Sequence, residues 1–333
     1  MKIAIVKLSA LGDIVHAMVV LQFIKNYNQQ IKVDWIVEEG YRELLEYNPD
    51  INKVHVVNIK NAKKKKSINL LLKEFFKVRQ FGSYDMVIDM QGLIKSAIIA
   101  SLIKSPKTLG FDKSSVRESV ASLFYNKPFK YKYSDNIIER NLALIEFSLG
   151  INYNKESLKN KLPFLYSNKV YLVNNLSNIK KNILIVPGAS FKSKQYSAIK
   201  FKALTKELDA NFLIIWGNQK EKSDAYKIKD SGLNVSICEK LSISSLVSLI
   251  DQVDLVIGAD TGPTHIAWAL NKPSITLFGP TSGFRNTYVT KINKIIESDS
   301  KVNPYKINKK DYSINTIDEG QIAKLALELL KRS

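Results

Sequence analysis

What most constrains this chain is an alternation of short apolar runs with amphipathic helical segments, played through twice. Residues 3–8, 33–37, 53–57 and 85–90 read as strands, and 108–111 as a short extended piece. Helical periodicity occupies 14–27, 68–81, 94–103, 116–124 and 136–149. The pattern pauses over 151–181, a polar stretch rich in Asn and Lys, and then returns. Strands are expected at 182–186, 211–216, 233–238, 253–258 and 274–278, with helices at 197–208, 220–230, 243–250 and 262–270. A last helix, 318–331, follows a polar segment without clear pattern. Alternation on this scale demands parallel sheets covered on both faces. The expected fold is α/β, with two facing Rossmann-like doubly wound domains over 1–165 and 166–316, and a closing helix over 317–333 free to return to the first domain. A length of 333 residues suits two such domains. Ligands in these folds sit beyond the carboxyl ends of strands, so the site is expected in a cleft between the domains.

Two turns that deliver strands to helices carry the candidate chemistry. Gly258-Ala-Asp-Thr-Gly-Pro-Thr-His265 is the first. Gly258 and Gly262 relax its backbone, and Pro263 suits a first helical turn, where no amide hydrogen is needed. A strand handing over to a helix N-terminus offers amides and a partial positive charge, a natural seat for a diphosphate. Asp260, Thr261, Thr264 and His265 would lie within about one turn of that seat. The same residues also suit a plain capped turn, with Asp260 or Thr261 satisfying amides. The second turn, Ser9-Ala-Leu-Gly-Asp-Ile14, follows the first strand. Gly12 permits a tight turn there. Asp13 is either a first-turn acid worth about 1 kcal/mol or a general base beside a substrate hydroxyl. Neither turn contains G-x-G-x-x-G, G-x-x-x-x-G-K-[ST] or G-x-S-x-G, so dinucleotide, P-loop and serine-hydrolase chemistry find no support.

Charge bounds the partners. Lys and Arg number 50 against 31 Asp and Glu, and a net of +19 favours nucleic acid, an acidic membrane face or a phosphorylated substrate. The excess is scattered, and no RNP motif, zinc-finger spacing or helix-turn-helix stands out, so no nucleic-acid partner is expected. The single Cys238 excludes a disulfide framework and a cysteine-based zinc site, and His16, His55 and His265 are too few for a multi-histidine metal site. With no Asp-x-Asp in the two turns, no metal is expected to be required, loosely held Mg2+ remaining open. The chain enters an apolar strand without a signal-peptide core, and apolar stretches such as 97–103 fall short of the roughly 20 residues of a membrane span. The expectation is a soluble cytoplasmic protein.

Ser9-Ala-Leu-Gly-Asp-Ile-Val-His16 and Asp260-Thr-Gly-Pro-Thr-His265 match the two hallmark turns of the lipopolysaccharide heptosyltransferases, a family the chain resembles from Met1 to Arg285 and again, faintly, in the last helix. Leu277-Phe-Gly-Pro-Thr281 is familiar from the same family. Val37-Glu-Glu-Gly40, Ile88-Asp-Met-Gln-Gly-Leu-Ile-Lys-Ser96 and Arg117-Glu-Ser-Val-Ala-Ser-Leu-Phe-Tyr-Asn126 look like the member that adds the first heptose to the Kdo residues of the inner core. The resemblance implies a B-type glycosyltransferase fold and an inverting transfer of L-glycero-D-manno-heptose from ADP-heptose to Kdo-lipid A. It implies no required cofactor, the nucleotide sugar being a substrate, and a monomer seated peripherally on the anionic cytoplasmic face of the inner membrane. The second heptosyltransferase of core assembly, another enzyme of the family, a non-catalytic nucleotide-sugar sensor and a basic nucleic-acid binder are the alternatives.

The resemblance also distributes roles. Displacement at the anomeric carbon needs a base for the acceptor hydroxyl and positive groups for the departing ADP. Asp13 matches the family's proposed base. Asp260, Thr261, Gly262 and His265 match the loop that holds the donor's diphosphate and sugar. Lys194, in Phe191-Lys-Ser-Lys-Gln-Tyr196, lines up with a lysine that reaches the leaving diphosphate, and Lys192 is its close rival. Gln195-Tyr196 stands where an aromatic pair with His is usual. Ser190 lies in the same loop, and Glu221, after Trp216-Gly-Asn218, matches the acid that holds the ribose. On the acceptor side Gly12, Lys60, Lys64, Arg117 and Arg140 are expected to face Kdo carboxylates and lipid A phosphates, which suit guanidinium pairing. Lys63-Lys-Lys-Lys66 reads as a loop, either a solvated tether or a contact with lipid A phosphates or the anionic leaflet, at about 1 kcal/mol per lysine near such a surface.

Overall fold

Strands built of unbroken apolar residues have no face to give to water, and that decides the architecture. The computed structural model describes residues 1–167, 175–230, 232 and 234–331, and the chain divides into two units, Met1–Phe164 and Leu165–Ser333. The first unit contains β1 (Lys2–Val6), β2 (Lys32–Glu38), β3 (Lys53–Val57), β4 (Met86–Asp89), β5 (Thr108–Phe111) and β6 (Lys127–Phe129), in the order β3-β2-β1-β4-β5-β6. The second contains β7 (Asn182–Val186), β8 (Asn211–Ile214), β9 (Val235–Ile237), β10 (Leu255–Ala259), β11 (Ser274–Phe278) and β12 (Asn293–Glu297), ordered β12-β11-β10-β7-β8-β9. All pairings between these strands are parallel. The two orders trace one path, the doubly wound 3-2-1-4-5-6. Its direction reverses between β1 and β4, which pair Val6 with Asp89, and between β7 and β10, which pair Val186 with Gly258. Loops leaving a sheet at such a reversal part and open a crevice.

Helix ends follow local chemistry. Asn136 accepts the amides of Ile138 and Glu139 at 2.9 and 3.3 Å to start Ile137–Leu149, and Gly150 ends it at φ 67°. Asp318 starts Glu319–Leu330 by accepting the Gln321 amide at 3.0 Å. This last helix belongs to the second unit, where Ile322, Ala323, Ala326 and Leu329 share a core with Phe201, Leu204 and Phe212. Its apolar face is thereby used, and the expected return to the first domain is corrected.

Several elements differ from expectation for identifiable reasons. The helix over 14–27 is two helices, Leu11–Met18 and Val20–Tyr27, broken at the β-branched pair Val19 and Val20, although Val19 keeps helical angles. Over 116–124 only Ser119–Phe124 turns, as a 3-10 helix. Buried Val116 and the Glu118 carboxylate, which accepts the Ile94 amide at 2.8 Å, pin the segment to the loop after β4. Lys63 and Lys64 end a short helix, Ile59–Lys64, rather than lying in a loop, and Lys66 turns left-handed at φ 50°. The edge strands β6 and β12 give no strand pattern in the sequence, because Lys127 and Pro128 in the one and Asn293 and Lys294 in the other interrupt the apolar run, as on sheet edges. Of the expected boundary segment 151–181, residues 168–174 lie outside the described residues, as does 233 at the start of an expected strand. Among the described residues, no helix is long and apolar enough to cross a membrane.

Candidate active site

In the second unit a charge cluster stands where the loops leaving β7 and β10 meet. β10 hands on to Asp260, which is 6 % exposed. Lys194 reaches it from the loop after β7, with Nζ 2.8 Å from Oδ2. His265, in the helix Gly262–Ala269, sets Nε2 3.0 Å from Oδ1. Thr281 Oγ1 and Asn286 Nδ2 donate to Oδ2 at 2.9 and 3.2 Å. Burial pushes the Asp260 carboxyl up, but the Lys194 charge and the His265 hydrogen bond outweigh it and hold the group far below the ordinary carboxylate range. Asp260 is therefore an anion fixed among donors.

The surrounding turns explain how these side chains arrive. Lys192–Lys194 is a 3-10 turn anchored just downstream. The Tyr196 hydroxyl donates to Ile317 O at 2.9 Å and the Ser197 amide to Asn315 Oδ1 at 2.8 Å. Of the two rival lysines, Lys194 is turned inward and Lys192 is exposed. Thr264 is spent on its own turn, its hydroxyl 3.0 Å from Ala259 O and 2.7 Å from Thr261 O. Thr261 and Gly262 stay half-buried at the start of the helix, whose first amides have no carbonyl within the helix to bond. Glu221 comes to the same edge, accepting the Gly217 amide and Asn218 Nδ2, each at 2.7 Å. A Cβ on Gly188 would stand 2.4 Å from Glu221 Cδ, so this carboxylate rests against the loop leaving β7. Ser190, further along that loop, is exposed.

In the first unit the equivalent crevice lies between β1 and β4. Gln91 Oε1 accepts the amides of Leu8 at 2.7 Å and Ser9 at 3.2 Å, tying the two strand exits together. Lys95 Nζ donates to Ser9 Oγ at 3.0 Å. Asp89, fully buried, shapes the β4 exit by accepting the Gln91 amide at 2.8 Å and the hydroxyls of Ser96 and Tyr125 at 2.8 and 2.7 Å. Asp13 is exposed in the first turn of Leu11–Met18, where Oδ2 accepts the Ala10 amide at 3.2 Å, and Gly12 is half-buried beside it. Burial pushes the Tyr41 hydroxyl up, with the charges of Glu38 and Asp13 adding to it. Burial pulls the Lys95 ammonium down against the opposing charge of Glu38, and Lys63 and Lys60 act in the same direction as burial. The rim therefore carries an exposed carboxylate, Asp13, and a half-buried amine, Lys95, that burial makes less basic.

The remaining acceptor-side candidates divide. Lys60, Lys64 and Arg117 are exposed. Arg140 is 2 % exposed and must be corrected. Its guanidinium donates to Tyr131 O, Lys132 O and Ser115 O at 3.0, 2.6 and 2.8 Å and lies 4.4 Å from the Phe111 ring centroid. It holds loops together and is not presented to solvent. Gln91, Lys95 and Thr281 lie within the quoted motifs, and neither spacing nor resemblance singles them out. Asn286 lay in a stretch without periodic signal and could not have been singled out.

The model of glycosyltransferase family 9 (heptosyltransferase) matches residues 75–312. The chain is 39 % identical to lipopolysaccharide heptosyltransferase 1 of Campylobacter coli, over 99 % of each chain. The solved structure of the E. coli heptosyltransferase WaaC with ADP shares the fold at a TM-score of 0.81 and 24 % identity, covering 99 % of this chain and 100 % of that one. The same enzyme with ADP-2-deoxy-2-fluoro heptose gives 0.78 at 24 % identity, covering 98 % and 99 %.

Proposed function

The chain belongs to glycosyltransferase family 9, the heptosyltransferases, and from that premise we propose that it moves L-glycero-D-manno-heptose from ADP-heptose to the Kdo of Kdo-lipid A. The reaction builds the lipopolysaccharide inner core and inverts the anomeric carbon. The observation that carries this reading is the cluster of Lys194, Asp260 and His265 at the head of Gly262–Ala269. Lys194 meets Asp260 through one contact, at Oδ2, which leaves two of its three ammonium protons for a further anion. The donor's diphosphate takes them, with the amides around Thr261 and Gly262 completing its seat. Glu221 keeps lone pairs for ribose hydroxyls beyond those given to Gly217 and Asn218, and Ser190 borders the same pocket edge.

In the transfer, the acceptor hydroxyl oxygen forms a bond to the anomeric carbon as the bond from that carbon to the phosphate oxygen breaks. ADP leaves with the electron pair, its charge met by Lys194, and the hydroxyl proton passes to Asp13. Exposed Lys60, Lys64 and Arg117, together with Gly12 in the turn that carries Asp13, receive the acceptor's carboxylates and phosphates. The protein works as a monomer, peripherally seated on the anionic cytoplasmic face of the inner membrane.

The test offers ADP-heptose and GDP-linked sugars with Kdo-lipid A and follows acceptor mass. Gain of one heptose from the ADP donor alone is expected. Binding of ADP-heptose without turnover would make the protein a sensor. Transfer only to an acceptor already carrying one heptose would make it the next enzyme of core assembly.

A further inference from the structure

Helix Ile68–Arg79 presents to solvent what a helix ordinarily hides. Its inner face packs Leu71, Phe75 and Val78 into the core of the first unit. Its outer face carries Ile68, Leu72 and Phe76, which are 73, 46 and 63 % exposed. A spacing of four residues stacks these three in one stripe. Exposed Lys73 and Lys77 border the stripe, and the four exposed lysines at 63–66 lead into it. Residues 59–80 include eight Lys or Arg and a single acid, Glu74. Glu74 is turned inward, where it accepts the Asn58 amide at 2.9 Å. Helix Ile94–Leu102 packs beside this one and the turn Ser119–Phe124 beside that, and Ile94, Val120 and Leu123 in these two elements are also exposed.

Single exposed apolar side chains are ordinary, but an aligned set edged by cations is the composition of a helix that lies in a membrane interface. We infer that Ile68–Arg79 rests along an anionic phospholipid bilayer, with Ile68, Leu72 and Phe76 among the acyl chains and Lys73, Lys77 and the lysines at 63–66 at headgroup phosphates. Charge selects this occupant. A second copy laid face to face on the stripe would bring two rows of lysines together, whereas an anionic leaflet neutralises them. The inference rests on the peripheral placement proposed above and names the element that makes it. The short helix Ile59–Lys64 packs beside this one, its Lys60 amide bonds the Glu38 carboxylate at 3.0 Å, and the Glu38 amide bonds Leu8 O at 3.2 Å, so a bilayer under this helix would bring a lipid-anchored acceptor toward the rim that carries Asp13.

The test is flotation with vesicles of phosphatidylcholine alone or mixed with phosphatidylglycerol, at low and high salt. The protein should bind the mixed vesicles, bind less as salt rises, and ignore the neutral ones. The variant Ile68→Ser/Leu72→Ser/Phe76→Ser should lose about tenfold or more in binding, while transferring heptose at the normal rate to a deacylated, water-soluble Kdo acceptor. A separate Phe76→Trp protein should show a blue-shifted indole quenched by brominated acyl chains when mixed vesicles are added. Undiminished binding by the triple variant, or an indole that stays in water, would overturn the inference. So would a dimer of the unaltered protein that the triple variant dissolves. Vesicle binding through this stripe in a protein that transfers no heptose would sink the functional reading while supporting this one.

Discussion

Asp260 keeps its charge in a buried place because Lys194, His265, Thr281 and Asn286 all donate to it. If Lys194 also steadies the departing diphosphate, Lys194→Ala should lower kcat/KM by about 10²–10³-fold, the scale of a lost electrostatic stabiliser. Lys192→Ala should do far less, and equal effects would show that the wrong lysine has been assigned. The same variant makes a pH prediction. The folded-state pKa of Asp260 lies below its unfolded value, so the stability it contributes is fully present above that unfolded value and is lost as pH falls toward the folded one. The stability gap between the unaltered protein and Lys194→Ala, about 3–5 kcal/mol for a buried pair that loses one partner, should hold above about pH 5 and narrow below about pH 4. Urea denaturation across that range measures it. Arg140 makes the opposite kind of prediction. Arg140→Met should cost about 2–4 kcal/mol of stability by stranding three carbonyls, with the acceptor KM unchanged in the protein that folds. A raised KM with unchanged stability would restore the acceptor role.

At the scale of elements, close approach decides what the sheet and its loops tolerate. An added Cβ at Gly258 would fall 2.7 Å from Val186 Cβ and 3.0 Å from Val186 O, between the central strands β10 and β7. At Gly188 the three nearest atoms it would meet all belong to the movable Glu221 carboxylate. Gly258→Ala should therefore lose about 1–3 kcal/mol of stability, whereas Gly188→Ala should spare the thermal midpoint and weaken ADP-heptose binding. Calorimetry of both variants separates the two, and a destabilised Gly188→Ala with normal affinity would contradict the reading. This contrast also marks what the chain makes legible. Ile183, Leu184 and Ile185, wholly apolar, announce a buried central strand, and Gly258 with Pro263 announces the turn that follows β10. β12, with Asn293 and Lys294, gives no such run because an edge strand needs none. The choice between Lys192 and Lys194 depended on a single 3-10 turn held from Asn315 and Ile317, more than a hundred residues away. Arg140 reads in the sequence as an acceptor contact because its three carbonyl partners, on Ser115, Tyr131 and Lys132, come together only in the folded unit.

The whole molecule repeats one winding path and places different chemistry at its two reversals. Beyond β10 stands a buried anion with its ammonium, suited to a nucleotide diphosphate; beyond β1 stands the exposed carboxylate of Asp13, suited to an acceptor hydroxyl. The proposed transfer divides labour accordingly, with donor affinity belonging to the second unit and proton removal to the first. The most direct measurement is the rate of heptose transfer by Asp13→Asn, taken together with its ADP-heptose affinity and thermal midpoint. Asn keeps the shape and caps a helix about as well as Asp, so affinity and midpoint should stay close to those of the unaltered protein. Turnover should fall by about 10²–10⁴-fold, the usual contribution of a positioned base. An Asp13→Asn protein that transfers heptose at the normal rate would contradict the account.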